Sequence, residues 1–318
     1  MGQPKVSVSL ITYNHEKYIV ECLDSIIKQV VDFEIEVVVA DDCSTDRTPE
    51  IVAEYALKYP TLIKPILRKA NLGMVQNALA TIKACSGDYI SLMEGDDFWV
   101  NDHKLQIQAD YLDKNKDCAL CFTNGYIFFD ETPGKRQSFY EESKKPPQKF
   151  DRDFFIKKAC NILNNTKMFR NEVQPEIFPD WIYNSINWDW VLHILQSANG
   201  NFGFIDIETM AYRRHSGAAF MTKSEIDILQ NGIVTLHELN KYLDYIFNET
   251  FKNLWWEHRE LSFEHIRKGN WTKFLYYYCK YRFAPGKTNE FTFKDDVWRL
   301  KSALKDRENN VSKKIYSN

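Results

Sequence analysis

Three acidic residues follow an apolar run in "GDYISLMEGDDFWV" (Gly87–Val100). Glu94, Asp96 and Asp97 come directly after a segment that is typical of a buried strand. Crowded carboxylates repel one another, and burying them without partners costs several kcal/mol. Carboxylate oxygens are also the ligands that hard divalent cations such as Mg²⁺ and Mn²⁺ prefer. The stretch therefore predicts a site for a cation, or for a ligand that brings one.

Two earlier apolar segments also end in polar residues. "VSVSLIT" (Val6–Thr12) is followed by Tyr13 and Asn14, and "IEVVVA" (Ile35–Ala40) is followed by Asp41 and Asp42. In a parallel α/β sheet, ligands bind at the carboxyl ends of the strands. Each segment alone is also explained by a helix cap or a turn. The same pattern at three strand ends favours a binding site.

The elements that must position these residues alternate between strand and helix. Strands at Val6–Thr12, Ile35–Ala40 and Tyr89–Met93 are apolar on both faces, and a weaker strand lies at Leu62–Leu67. Between them, helical patterns run from Ile19, from Pro49 and from Met74. This alternation predicts an α/β domain with a parallel, Rossmann-like sheet that is covered on both sides.

The pattern changes after about residue 120. Residues 121–224 are β-rich, with a helix near 188–198, and residues 225–318 are mainly helical and aromatic. We therefore predict two domains, 1–224 and 225–318, the first with an N-terminal half (about 1–120) and a C-terminal half (about 121–224).

Composition narrows the functional classes. The chain has 318 residues, 44% hydrophobic and 27% charged, as in soluble globular proteins. A net charge of -3 argues against a broad nucleic-acid surface. The sequence lacks a signal-peptide pattern and a long apolar run, which predicts a cytoplasmic protein. Seven scattered cysteines indicate reduced thiols, and Cys118 and Cys121, without a second metal-binding pair, are interpreted as core residues.

Several segments resemble the family 2 glycosyltransferases with the GT-A fold. The resemblance is carried by "VSVSLITYNHEKYIVECLDSI", "VVVADDCSTDRTPEIV" and "NLGMVQNALATIKACSGDYISLMEGDDFW", and more weakly by "NWDWVLHIL" and "MAYRRHSGA". It implies a mixed, mostly parallel GT-A sheet, with a nucleotide-sugar half at about 1–120 and an acceptor half at about 121–224. It also implies a nucleotide-diphosphate sugar donor, preferably a UDP-sugar, and a divalent metal cofactor, Mn²⁺ or Mg²⁺. It also implies inverting transfer to a glycan or lipid-linked acceptor hydroxyl, in bacterial surface polysaccharide biosynthesis.

The resemblance assigns roles to individual residues. It places the nucleotide on Ile11, Thr12, Tyr13, Asn14, Asp42, Asn71 and Asp96, and Asp96 would contact either the ribose or the metal. It places the metal on Asp97 and His215, the diphosphate and its lid on Arg213, Arg214 and the small residues 216–219, the acceptor on Trp188 and Trp190, and the catalytic base on Asp189. Glu94 stands where many members have Asp, so its role stays open.

Each of these assignments has a simpler alternative. Asp189 can serve only as a helix N-terminal carboxylate, and Trp188 and Trp190 can serve as core residues. Arg213, Arg214 and His215 can be solvated surface residues.

Two other functions remain open. A sugar-phosphate nucleotidyltransferase usually has a Gly-rich, basic phosphate loop after the first strand, whereas this chain has "TYNHEK". A non-catalytic glycan-binding protein on the same fold would not need "GDD" and Asp189. The aromatic and basic C-terminal module fits either a helical core with a basic solvent face or a peripheral association with the inner face of the cell membrane. Homodimerisation through that module is a third alternative.

Overall fold

The computed structural model describes residues 4–130, 132, 134–158, 160–172, 178–215, 224–246, 254–282 and 293–316. The chain divides into two compact units. One contains Met1–Tyr183 and Trp188–Ala218, and the other contains Asn184–Asn187 and Ala219–Asn318. The sequence prediction drew a single boundary at residue 224 and assigned 184–187 to the first domain.

A parallel sheet forms the N-terminal half of the first unit. Its strands are β1 (Val6–Thr12), β2 (Ile35–Asp41), β3 (Ile63–Leu67) and β4 (Tyr89–Glu94), in the order β3-β2-β1-β4. Three helices alternate with them: α1 (Ile19–Ile27), α2 (Thr48–Lys58) and α3 (Met74–Ala84). The alternation predicted from the sequence is confirmed.

The second half of the unit extends the same sheet. Its elements are β5 (Phe98–Trp99), α4 (Lys104–Lys114), β6 (Cys118–Phe129), β7 (Arg136–Ser138), β8 (Lys149–Phe150), α5 (Arg152–Lys157), β9 (Lys167–Arg170), α6 (Trp188–Gln196) and β10 (Asn201–Arg214). β9 lies antiparallel between β4 and β6, and β10 runs parallel to β6. The sheet is therefore mixed but mostly parallel, as predicted.

The core of this unit lies around the first two strands and the helix between them. Val8, Leu10 and Val39 are 0% exposed, and Leu23 of α1 is 1% exposed. Cys118 and Cys121 belong to the same core as free thiols, which confirms that interpretation. Burial of this apolar surface stabilises the sheet edge that carries the polar strand ends.

The second unit is helical in the part of the chain that the structure describes. It contains α7 (Glu225–Tyr242), α8 (Leu254–Arg267), α9 (Trp271–Arg282) and α10 (Phe293–Tyr316). Phe263, Ile266, Phe274 and Ala303 form its core. No helix among the described residues is both long enough and apolar enough to cross a membrane.

Candidate active site

The three polar strand ends lie side by side at one edge of the sheet. Thr12 of β1 is in register with Asp41 of β2, and Ile11 is in register with Glu94 of β4. The strands are parallel, so the loops that follow them leave the sheet on the same side. The structure thus brings together the "TYN", "DD" and "EGDD" segments.

Asp42 lies on the β2 side of this edge. It is 3% exposed, and its carboxylate accepts hydrogen bonds from the backbone N–H groups of Leu72 (2.8 Å) and Gly73 (2.9 Å). The Asn71 amide donates to the Asp42 carbonyl at 2.9 Å. Gly73 has φ of 84°, a conformation that favours glycine. Asp42 and the 71–73 turn are therefore one rigid feature.

Tyr13 and Asn14 leave β1 in different environments. Tyr13 is 44% exposed, so its ring is available to a flat ligand. The Asn14 side-chain oxygen accepts from the Thr45 backbone N–H at 2.8 Å, and the Asn14 N–H donates to the Ser44 hydroxyl at 2.8 Å. Asn14 therefore fixes the loop after β2, while Tyr13 faces solvent.

Asp97 is engaged by the protein itself. It is 2% exposed, and one carboxylate oxygen accepts from the Arg213 backbone N–H at 2.7 Å. The other oxygen accepts from the Asn165 amide. Burial, with the charges of Asp96 and Glu94, raises the pKa of Asp97 well above its usual value. This arrangement argues against the predicted role of Asp97 as a metal ligand.

Asp96 has the opposite environment. Its Oδ2 lies 3.1 Å from His215 Nε2 and 3.6 Å from His15 Nε2, and its Oδ1 has no hydrogen-bond partner among the described residues. Burial opposes ionisation, but the hydrogen bond from His215 and the proximity of His15 keep the pKa of Asp96 below its usual value. Asp96 is therefore an ionised carboxylate with one oxygen free for a ligand.

His15 is a site residue that the sequence analysis missed. Its Nδ1 and the neighbouring Thr12 hydroxyl are buried and have no partner in the described ranges. A Cβ on Gly95 would lie 2.7 Å from the Thr12 hydroxyl and 3.0 Å from His15 Nδ1. Glycine is therefore needed between Glu94 and Asp96. The only signal in the sequence was the position of His15 in the loop after β1.

Asp96 and His215 fit a divalent cation. The described residues contain no group of three His, Cys, Asp or Glu side chains that could hold a metal ion by themselves. Cations at phosphate-binding sites are commonly held by one or two carboxylates, with phosphate and water as the remaining ligands. The unpartnered oxygen of Asp96 next to His215 matches that pattern.

Arg213 is an internal side chain, contrary to the diphosphate role predicted for it. It is 8% exposed, and its guanidinium carbon lies 4.7 Å from the centre of the Tyr18 ring. Its guanidinium donates to the Asp96 carbonyl (2.8 Å), Asp130 (2.6 Å) and Glu21 (2.5 Å). Arg214 is exposed, with its guanidinium 5.9 Å from the Phe129 ring centre. The predicted lid at residues 216–219 lies outside the described residues.

Asp189 lies in the first turn of α6, and its Oδ1 accepts from the Trp190 N–H at 2.8 Å. Burial raises the pKa of Asp189, opposed by that N–H and by the charge of Lys167. Burial and the charges of Asp96 and Asp189 raise the pKa of Glu94 to about 8. The charge of Asp189 thus acts on Glu94, the first residue of the acidic turn Glu94–Asp97.

The two tryptophans beside Asp189 make packing contacts within the unit, Trp188 as a buried and Trp190 as a partly exposed side chain. Trp188 is 3% exposed. Trp190 donates to the Cys160 carbonyl at 3.2 Å and stacks on Phe155 with ring centres 5.7 Å apart. These contacts favour core packing over the predicted acceptor platform.

Comparisons with known proteins show which family the chain resembles. Residues 7–178 match the model of Glycosyl transferase family 2. An uncharacterized protein of Mycobacterium tuberculosis (strain ATCC 25618 / H37Rv), Rv1520, is 36% identical over 215 residues, which are 66% of this chain and 59% of the relative. The chain thus matches about three fifths of that relative's length.

Two solved structures share the fold. Staphylococcus aureus TarS 1–349, in complex with UDP-GlcNAc, has a TM-score of 0.56 and 21% identity over 95% of this chain and 80% of its own. The mannosyltransferase PcManGT of Pyrobaculum calidifontis, in complex with GDP-Man and Mn²⁺, has a TM-score of 0.54 and 16% identity over 97% of this chain and 87% of its own. The predicted GT-A fold is confirmed, and the chain belongs to glycosyl transferase family 2.

Proposed function

We propose that this protein is a metal-dependent, inverting glycosyltransferase. It transfers one sugar from a nucleotide-diphosphate donor, preferably a UDP-sugar, to a hydroxyl of a glycan or lipid-linked acceptor in bacterial surface polysaccharide biosynthesis. The observation that carries the proposal is Oδ1 of Asp96, which has no hydrogen-bond partner in the described part of the chain and lies in the largely buried acidic turn beside two histidines. TarS with UDP-GlcNAc and PcManGT with GDP-Man and Mn²⁺ support it as members of the same fold.

Asp96 and His215 would hold the cation. An ion held there would neutralise the negative charge that develops on the leaving diphosphate. Asp97 supports this site through the Arg213 backbone, two residues before His215. Of the two acids that the resemblance brings to the metal, we therefore propose Asp96 as the ligand and Asp97 as its support.

The nucleotide would bind beside β1 and β2. The Asp42 carboxylate accepts two backbone N–H groups and has lone pairs left for a base N–H. The exposed Tyr13 ring supplies a stacking surface, and Asn71 fixes the turn that holds Asp42. These residues bind and orient the donor.

Asp189 is the general base of the proposed reaction. Its Oδ1 is held by the Trp190 N–H, which leaves the other oxygen to accept the proton of the acceptor hydroxyl. That hydroxyl attacks the anomeric carbon on the face opposite the diphosphate, so the configuration inverts. A carboxylate whose pKa is raised by burial is a stronger base than an ordinary aspartate.

A lipid-linked acceptor would place the enzyme at the inner face of the cell membrane. Trp271 and Leu275 of α9 are 46% and 56% exposed, and Lys273 lies between them in the sequence. Apolar and basic residues together suit an anionic lipid surface. Co-sedimentation with anionic vesicles supports this use of α9, whereas a concentration-dependent dimer without vesicle binding supports self-association.

A donor panel tests the proposed function. The protein is incubated with UDP-, GDP- and dTDP-sugars, with and without Mn²⁺, and release of nucleoside diphosphate is measured. We expect Mn²⁺-dependent release that D96N and D189N each reduce by at least about 100-fold. Pyrophosphate formation from a sugar phosphate and a nucleoside triphosphate would indicate a nucleotidyltransferase. Glycan binding without turnover of any donor would indicate a binding protein.

A further inference from the structure

Groups that contact Asp96 pack against one aromatic ring, that of Tyr18. Nε2 of His215 and Nε2 of His15 lie 3.1 Å and 3.6 Å from Asp96 Oδ2. The centre of the Tyr18 ring lies 4.8 Å from the centre of the His215 ring and 6.4 Å from that of the His15 ring. The Arg213 guanidinium, which donates to the Asp96 carbonyl, has its carbon 4.7 Å from the same ring centre. Tyr18 is therefore a neighbour of three groups that contact Asp96.

His215 lies just beyond the last paired residue of β10. The ladder between β6 and β10 ends with the pair Phe129 and Arg214, one residue before His215. Because the ladder does not extend to His215, side-chain contacts must fix its imidazole. Its Nε2 lies against Asp96, and its ring packs on Tyr18 at an interplanar angle of 50°. Removal of a group that orients a metal ligand commonly lowers metal affinity.

The Tyr18 ring has a fixed partner in Arg213. A guanidinium group is attracted to an aromatic face, and Arg213 is only 8% exposed. The same guanidinium donates to the carboxylate of Glu21, which is three residues after Tyr18 at the start of α1. Arg213 therefore contacts both the ring and the helix that follows it. A ring fixed in this way can hold a neighbour that lies beyond the end of the sheet ladder.

We propose that Tyr18 is a positioning residue for His215, and that its ring keeps the imidazole against Asp96 Oδ2 and so supports cation binding. The inference rests on the proposed binding of a divalent cation by Asp96 and His215. The contacts with His215 and Arg213 are made to the ring of Tyr18, so the ring and not the hydroxyl carries this role. Loss of the ring would weaken cation binding through His215.

Y18L and Y18F separate the ring from the hydroxyl. Mn²⁺ is titrated into the full chain in the presence of UDP and followed by electron paramagnetic resonance, with a protein-free titration as the baseline. We expect Y18L to weaken Mn²⁺ binding by about tenfold or more, as for other groups that orient a metal ligand. Y18F keeps both ring contacts and should bind Mn²⁺ within about threefold of wild type.

Phe128 offers a matched control. Its ring centre also lies 4.7 Å from the Arg213 guanidinium carbon, and its ring contacts among the described residues include no histidine. F128L therefore removes the same kind of contact with Arg213 and leaves the packing on His215. Y18L and F128L each lose a partly buried ring and should both lower the melting temperature, but F128L should keep the wild-type affinity for Mn²⁺. Unchanged affinity in Y18L, or equal losses in both variants, would overturn the proposal.

A double variant tests whether Tyr18 acts through His215. The phosphates of UDP supply further ligands, so Mn²⁺ binding stays measurable in H215A. Y18L combined with H215A should bind Mn²⁺ within about twofold of H215A alone, because the imidazole that Tyr18 positions is absent. A further loss as large as that caused by Y18L in the wild-type background would contradict this role. Y18M replaces Y18L in both experiments if Y18L cannot be purified, with the same expected losses.

D96N and H215A separate the inference from the proposed metal site. If either variant binds Mn²⁺ as wild type does, the cation is not held as proposed, and the inference fails with that assignment. If both variants lose affinity while Y18L keeps the wild-type affinity, the metal site stands and only the inference about Tyr18 fails.

Discussion

Asp96 and Asp97 are adjacent acids with different environments, and replacing each by alanine should separate their roles. D97A leaves the Arg213 N–H and the Asn165 amide, both of which donate to Asp97, without acceptors. At about 1–2 kcal/mol for each unsatisfied buried donor, the cost is about 3 kcal/mol. For a unit of this size, each kcal/mol lowers the melting temperature by about 2–4 °C, so we expect a loss of roughly 6–12 °C.

D96A removes a carboxylate that has one unpartnered oxygen and that raises the pKa of Glu94 and Asp97. Relief of this repulsion offsets the lost contact with His215, so the melting temperature should change by less than about 3 °C. Binding of Mn²⁺ should be lost, because the free oxygen of Asp96 is the proposed ligand. D97A should retain Mn²⁺ binding within about tenfold.

Calorimetric unfolding and Mn²⁺ titration by electron paramagnetic resonance measure the two effects independently. D97N is an intermediate variant, because Asn165 can rotate its unpartnered amide oxygen onto the new NH₂ group. It should therefore be more stable than D97A. The reasoning is refuted if D97A abolishes Mn²⁺ binding at an unchanged melting temperature while D96A binds Mn²⁺ as wild type does.

Three further predictions concern the surrounding structure. Burial of Glu36 opposes its ionisation, but hydrogen bonds from Lys64, Ser7 and Ser86 hold its pKa at about 2. The stabilisation from ionised Glu36 is thus present above about pH 4.5 and is lost as the pH falls towards 2. In denaturant titrations, the unfolding free energy of E36Q should be furthest below that of wild type at neutral pH, and the two values should converge near pH 2. G125A should lower the unfolding free energy by about 2 kcal/mol, because its Cβ would lie 2.7 Å from the Met210 carbonyl oxygen; an unchanged melting temperature would contradict this packing. R213K should lower the unfolding free energy by about 2 kcal/mol and change the affinity for UDP little. R214Q should weaken UDP binding and leave the melting temperature unchanged. If calorimetry shows the reverse for the two variants, the diphosphate role returns to Arg213.

The sheet was predictable because its strands are apolar on both faces and alternate with helices. Val37–Ala40 is a run of four buried residues, and a parallel strand inside an α/β sheet needs such a run. Parallel strands also share an edge for their carboxyl ends, so local patterns sufficed to bring Asp42 and the acidic turn together. These features depend on short segments of sequence.

The partners of the acidic residues were not predictable in this way. Asp97 is bound by Asn165 and Arg213, which are 68 and 116 positions away in the sequence. The residue type at position 97 does not indicate which carboxylate oxygens accept hydrogen bonds from the rest of the protein. In the same way, a tryptophan beside Asp189, the proposed base, suits both a sugar platform and a core, and only the burial of Trp188 separates these two roles.

The contacts of the buried Asp97 carboxylate connect it to the site. It binds the Arg213 backbone, the Arg213 side chain binds the Asp96 carbonyl, and His215 follows two residues later against Asp96 Oδ2. The position of His215 relative to Asp96 therefore depends on Asp97, which is not itself a proposed metal ligand. Since an ion bound by few protein ligands is sensitive to small displacements, the modest loss of Mn²⁺ affinity expected for D97A should act through His215. It follows that D97A combined with H215A should bind Mn²⁺ no more weakly than H215A alone, whereas independent contributions would add.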